Sequence, residues 1–202
     1  MLWLVCPSRK GDESVKPFAV SVWLCCLLVA DSSLATVTLM YRAHVVDVID
    51  GNTIVVSNRV LDGGTRFPGI ALVHLDGVAA PELDQPGGKE AKTFLEQLLK
   101  GKEVAVVELT DMGRSQGAWV FIGEDEKNVN VLLIEQGKAW LTEPRAKFAA
   151  SLGKPRQASE KMREAYQKAK DRKLGVWASE NPVPPWEWIE KHRNQKEGPA
   201  QP

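Results

Sequence analysis

His44-Val45-Val46-Asp47-Val48-Ile49, then Asp50-Gly51-Asn52, then Thr53-Ile54-Val55-Val56-Ser57 is the stretch whose reading settles the architecture. Two short runs rich in β-branched residues flank three turn formers. Gly and Asn tolerate the positive φ of a tight connection, so the stretch predicts a β-hairpin.

Downstream, a looser segment with Asp62-Gly63-Gly64 leads to a third strand candidate over Ile70–Leu75, and Glu103–Leu109 and Ala118–Ile122 supply two more. Between the third and fourth strands, Ala91, Phe94, Leu95, Leu98 and Leu99 recur at helical spacing, with Gly101 as the stop. A shorter helix is expected over Val129–Gln136, ended by Gly137. A longer one is expected from Gln157 to Lys173, with Met162, Ala165, Tyr166 and Ala169 on one face. Three strands, a helix, two strands and further helices is the order of a mainly β fold with α additions: a five-stranded OB-type barrel with about three helices, spanning residues 41–190. The polar stretch 191–202 reads as a disordered tail.

The chain has 202 residues, 44% hydrophobic and 26% charged, enough for one globular domain with a real core. Lys+Arg and Asp+Glu both total 26, so no global charge draws it to nucleic acid or to an anionic membrane. Any such attraction has to be local. From Arg145 to Lys173 ten bases face three acids, whereas Asp76 to Glu135 holds twelve acids and six bases. The basic segment is the candidate surface for nucleic acid or another polyanion; a protein partner is the other expectation.

Residues 1–35 are built differently. Lys16, the thirteen-residue apolar run Phe18–Ala30 and Ser33-Leu34-Ala35 read as a secretory signal peptide cleaved near Ala35, which predicts an exported protein. An uncleaved anchor and a mis-assigned start are the alternatives, because Met1–Val15 is a long leading region. Cys6, Cys25 and Cys26 all fall in this leader, so a processed chain would hold no thiol, disulfide or cysteine metal site.

A series of ordered motifs then carries a resemblance. Val48-Ile49-Asp50-Gly51-Asn52-Thr53, Gly77-Val78-Ala79-Ala80-Pro81-Glu82, Gln85-Pro86 and Gly88-Lys89-Glu90-Ala91 come first. Gly113-Arg114, Val129-Asn130, Gln136-Gly137-Lys138-Ala139, Leu174-Gly175-Val176-Trp177 and Pro184-Pro185-Trp186-Glu187-Trp188 follow. Together they resemble the thermonuclease, or staphylococcal nuclease-like, family over nearly the whole chain after the leader. The resemblance implies a calcium-dependent phosphodiesterase acting on DNA or RNA. Two aspartates would hold the metal, two arginines would grip the phosphate and a glutamate would assist the attacking water. Calcium wants several oxygen ligands, and cations beside a phosphodiester stabilise its pentacoordinate transition state.

Carried over residue by residue, the pattern is altered at its centre. The first metal aspartate falls on Asn52, the second on Ala79, the third-strand arginine on His74, and the threonine before Pro-Glu on Ala80. Glu82 is retained as the candidate base. Arg114 is retained if a one-residue bulge absorbs the extra residue before Ala118; otherwise Ser115 takes its place. Asp50, Asp76 and Asp84 are the candidates for a displaced calcium site, and Asp50 and Asp76 equally suit a turn and a strand end. His44 and His192 are too scattered to suggest a metal cluster. Trp140, Trp177, Trp186 and Trp188 are read either as a stacking platform or as pins for the terminal segment.

Overall fold

The structure, a computed structural model, describes residues 37–61, 63–111, 114–142 and 153–196. The expected leader and the part of the basic segment before residue 153 lie outside the described residues. Strand β1 (Val37–Val48) alternates buried Tyr41, Ala43 and Val45 with exposed Arg42, His44 and Val46. That period of two faces one side of the strand to the core. It pairs antiparallel with β2 (Thr53–Leu61) on one side and with β5 (Glu103–Asp111) on the other. Adding β3 (Arg66–His74), β6 (Arg114–Ile122) and the two-residue β7 (Lys127–Asn128) gives an antiparallel sheet in the order β3-β2-β1-β5-β6-β7. A separate pair joins β4 (Val78–Ala79) to β8 (Trp140–Leu141).

All five expected strands are present, and β4, β7 and β8 are added to them. The sheet does not close into a continuous barrel. Its two sides meet at a single parallel bridge, Leu75 with Ala118, where the Asp76 N–H also donates to the Ala118 carbonyl at 2.9 Å. Asn130 fastens this junction. It is fully buried at the start of α2 (Val129–Glu135); its Nδ2 donates to the carbonyls of Asp76 (2.8 Å) and Ala118 (3.0 Å), and its Oδ1 accepts from the Val120 N–H (3.1 Å). Asn128 caps the same helix by accepting the Val131 N–H at 2.9 Å.

Helix α1 (Gly88–Leu99) buries Ala91, Leu95 and Leu99, and burying each leucine contributes about 1.5–3 kcal/mol. Gly101, at φ +77, stops it by turning its N–H to the Val45 carbonyl. Helix α3 (Gly153–Asp171) buries Ala158, Met162, Ala165 and Ala169. The junctions after α2 and after α3 meet at two glycines. A Cβ on Gly137 (φ +61) would strike the Leu174 carbonyl, and one on Gly175 (φ +53) the Gly137 carbonyl, which instead accepts the Val176 N–H at 2.8 Å. Only glycine suits both the backbone conformation and the close approach.

A fourth helix, α4 (Pro185–Lys196), takes in the first six residues of the stretch 191–202 read as a tail, and 197–202 lie outside the described residues. Proline at its first position supplies the helical φ, and the Trp188 indole N–H donates to Asp84 Oδ1 at 3.2 Å, so tertiary anchoring outweighs a weakly amphipathic sequence.

One polar pair lies inside the sheet: the Tyr41 hydroxyl donates to Glu108 Oε2 at 2.7 Å, and both residues are buried. Burial, then the hydrogen bond and charge of Glu108, push the Tyr41 hydroxyl well above its usual value of 10.0. The folded chain therefore keeps this proton at pH values where the unfolded chain loses it. The associated stability is complete below pH 10 and is lost as pH rises beyond it. We expect the urea midpoint to fall from about pH 10 upward, and Tyr41→Phe to flatten that fall in unfolding curves recorded across the alkaline range. Asn130→Ala, which strips partners from the buried Val120 N–H and Asp76 carbonyl, is expected to cost about 3 kcal/mol or more in urea denaturation at neutral pH.

Candidate functional site

The ends of β2 and β3, the turn before β2 and the loop from β4 to α1 meet at one end of the sheet. Asp50 Oδ1 accepts the Asn52 N–H at 2.9 Å, an Asx-type turn that ties this carboxylate to the hairpin. Asn52 is half-buried. Its Nδ2 donates to the Val78 carbonyl at 3.3 Å and its own carbonyl accepts the Leu75 N–H, so the turn is stitched to the β3–β4 segment on both sides. Gly51 permits this approach: a Cβ there would lie 2.5 Å from that of Ala80 and 2.8 Å from that of Ala91. The alanine that stands where the resemblance implies threonine is thus part of a small-residue contact against the turn.

His74 is exposed at the end of β3, paired across the sheet with Thr53, and its Nδ1 lies 3.0 Å from Thr53 Oγ1. Ala79 pairs with Trp140 in the two-stranded β4–β8 ladder. Glu82 is exposed, and desolvation, followed by the charges of Asp50 and Asp84, holds its carboxyl above the usual 4.5. Its N–H donates to Gln85 Oε1 at 3.1 Å, and its carbonyl accepts the Gln85 N–H at 2.9 Å. Gln85, itself buried, donates from Nε2 to the Val183 carbonyl at 2.6 Å. The loop that carries Glu82 is therefore tied through one side chain to the segment leading into α4. Gly88 lies so close to the Glu82 carbonyl that any Cβ would collide with it.

Other sequence candidates fall elsewhere. Asp76 is 3% exposed and packed against Gly117. In β6 the register shifts by one residue between the pairs Leu109–Gly117 and Thr110–Ser115, which places a bulge between Arg114 and Ala118. Arg114 pairs with Asp111 at the start of the strand; its side chain lies outside the described residues. Trp140 and Trp177 pack edge to face at 5.5 Å, and Trp177 meets Tyr166 at 5.2 Å, while Trp188 stacks on His192 at 4.2 Å. Three of the four tryptophans thus hold the C-terminal segment, and Trp186 alone is half exposed. Asp84, a candidate for the displaced ion site, instead accepts the Trp188 indole N–H, whereas Thr53 and Gln85 were not singled out from the sequence as site residues. The roles of all three rest on partners 21 to 104 positions away, which no local pattern announces.

The calcium that the resemblance implies does not fit these residues. Ala79 offers no donor, and Asn52 turns its amide nitrogen to a backbone carbonyl. Among the described residues no three His, Cys, Asp or Glu side chains are grouped to hold a metal ion. A hard divalent cation needs several convergent oxygens, with carboxylates to balance its charge.

Residues 72–179 match the model of the staphylococcal nuclease homologue family. Over 154 residues the chain is 31% identical to an uncharacterized endonuclease of Escherichia coli O157:H7, covering 75% of this chain and 86% of that protein. It is 30% identical over 164 residues to the micrococcal nuclease of Shigella flexneri, covering 76% and 83%. An uncharacterized 38.1 kDa protein of Capnoides sempervirens is 31% identical over 155 residues, covering 74% of this chain but only 42% of its own length. The chain belongs to the staphylococcal nuclease homologue family, and its mixed β/α architecture is the OB-type fold that this membership implies.

Because the nearby carboxylates contribute to the upward shift of Glu82, Asp50→Asn should move its titration back toward 4.5. Side-chain carboxyl chemical shifts followed by NMR between pH 3 and 8 measure the change; an unmoved titration would mean that Asp50 does not act on Glu82.

Proposed function

We propose that this domain is a binding module for a polyanion and lacks the calcium-dependent phosphodiester hydrolysis associated with its family. The observation that carries the reading is the state of one cluster. Asn52, Ala79 and His74 stand where two carboxylates and an arginine are expected, and the first and last are engaged with Val78 and Thr53. A base such as Glu82 has little to activate without a gripped phosphate and a charged metal site. The lysine- and arginine-rich stretch ending at Lys173 supplies the local positive charge for binding. We further propose that the protein is exported, on the strength of Lys16, the apolar run Phe18–Ala30 and the small residues before Ala35. No helix among the described residues is long and apolar enough to cross a membrane.

A second reading, an active nuclease with a rearranged site, draws on the nuclease names of relatives at about 30% identity and on the raised Glu82 carboxyl. The burial of Asp76, at 3% exposed, weighs against it, because a hydrated cation has to reach the carboxylates that would hold it.

Incubated with DNA or RNA in millimolar calcium, the chain is expected to show no calcium-dependent cleavage on gels. Calcium-dependent cleavage that disappears in Glu82→Gln would reverse the reading in favour of the enzyme. Asn52→Asp, Ala79→Asp and His74→Arg introduced together should raise the thermal midpoint in millimolar calcium, as a ligand held only by the folded state must.

A further inference from the structure

Helices α2 and α3 enclose a groove of about 220 Å³ lined by Lys161, Lys168 and Arg172, by the acids Glu135 and Glu164, and by an apolar floor that includes Ala165 and Leu174. The three cations are spaced seven and four residues apart, so they run along one flank of α3 and its end for about 17 Å. Both flanks of the helix are basic, but they are not equivalent. On the other flank, Arg156 lies 3.5 Å from Glu160, and the Lys170 ammonium sits 5.4 Å from the ring centroids of both Tyr166 and Trp177. In the groove, Lys168 meets Glu164 only at 4.0 Å with both side chains largely exposed, an arrangement worth little in water. Lys161 and Arg172 make no ion pair among the described residues.

Resting on the polyanion reading above, we infer that the α2–α3 groove is the nucleic-acid site, with Lys161, Lys168 and Arg172 contacting the phosphodiester backbone of a single strand. A linear array of cations is complementary to a linear array of phosphates rather than to one small anion. At about 3.4 Å per nucleotide in a stacked strand, 17 Å accommodates about five nucleotides. Among the described residues no aromatic side chain lines the groove for a base to stack on, so contacts to the backbone phosphates carry the binding. The two acids reduce the net charge and favour a salt-sensitive, modest affinity. An anionic membrane fits less well, because the apolar face of α3 is spent on the core at Ala158, Met162, Ala165 and Ala169 and none is left to insert into lipid. The groove is separate in the sequence from the nuclease-like mouth, where Asp50, Glu82 and Asp84 gather negative charge.

The test is fluorescence anisotropy of the full chain with a fluorescein-labelled mixed-sequence 20-mer, in EDTA, at several sodium chloride concentrations. Lys161→Glu, Lys168→Glu and Arg172→Glu together should weaken binding at least tenfold. The slope of log affinity against log salt should flatten by about 2, at about 0.7 per lost contact to a single strand. Lys102→Glu, an exposed lysine outside the groove, should leave both unchanged. Thermal unfolding checks the triple variant, and if it does not fold, the milder Lys161→Gln with Arg172→Gln decides, with an expected slope change of about 1.4. A folded groove variant that binds as tightly as the parent overturns the inference and leaves the polyanion reading standing. So does loss of binding through His74→Ala while the groove variant binds normally. A parent chain that binds anionic phosphatidylserine vesicles but no oligonucleotide overturns the nucleic-acid assignment. One that binds neither overturns the polyanion reading as well.

Discussion

The carboxamide of Asn130 joins three backbone groups from two segments that are otherwise held together by one bridge. Its nitrogen binds the carbonyls of Asp76 and Ala118, and its oxygen binds the Val120 N–H, all away from solvent. The sheet is open, and this is the place where the end of β3 is brought against β6. A buried amide can serve because it both donates and accepts, and every partner left unmatched here would carry a desolvation penalty of about 1–3 kcal/mol. The segment from Leu75 to Ala79, and with it the position of β4 relative to the Asp50–Asn52 turn, depends on this junction.

From there the constraints pass through close backbone approaches rather than large side chains. Gly51 meets Ala80 and Ala91, Gly88 meets the Glu82 carbonyl, and Gly137 meets Gly175. Each contact removes the room for a Cβ, so the mouth is placed by backbone against alanine methyls, and the start of α1 and the entry to the C-terminal segment by backbone against backbone. Gln85 spans two of these regions with one side chain, setting the Glu82 loop against the segment that leads into α4. The chain keeps the family's mixed β/α framework, while Asn52 and Ala79 stand where the resemblance implies metal aspartates. Framework contacts are distributed among many residues, whereas a metal site fails when two ligands go.

Electrostatics divides the molecule in a way the zero formal charge conceals. At the mouth, desolvation and then the charges of Asp50 and Asp84 raise the Glu82 carboxyl, and the gathered carboxylates oppose a phosphate. Along α3 the bases outnumber the acids, and the side chains on one flank are only weakly neutralised by their neighbours. This division is the physical basis of the proposal that a polyanion is received by the helix and not by the mouth.

The alternation in β1 and β2, the glycine stops after α1 and α2, and the apolar face of α3 are local patterns, and they were legible because hydrophobic periodicity and turn chemistry act over a few residues. That Asn52, Ala79 and His74 do not carry the carboxylates and guanidinium the resemblance implies was legible too, since a residue type states which donors it can offer. The tertiary structure alone decided the rest. It showed that the sheet stays open, that a bulge lies between Arg114 and Ala118, and that Asp76 is buried while Asp50 caps a turn. It also showed that α4 holds its helix through Trp188 and Asp84, 104 residues apart. These outcomes depend on which distant group satisfies a buried polar atom, and that choice is made only when the chain has packed.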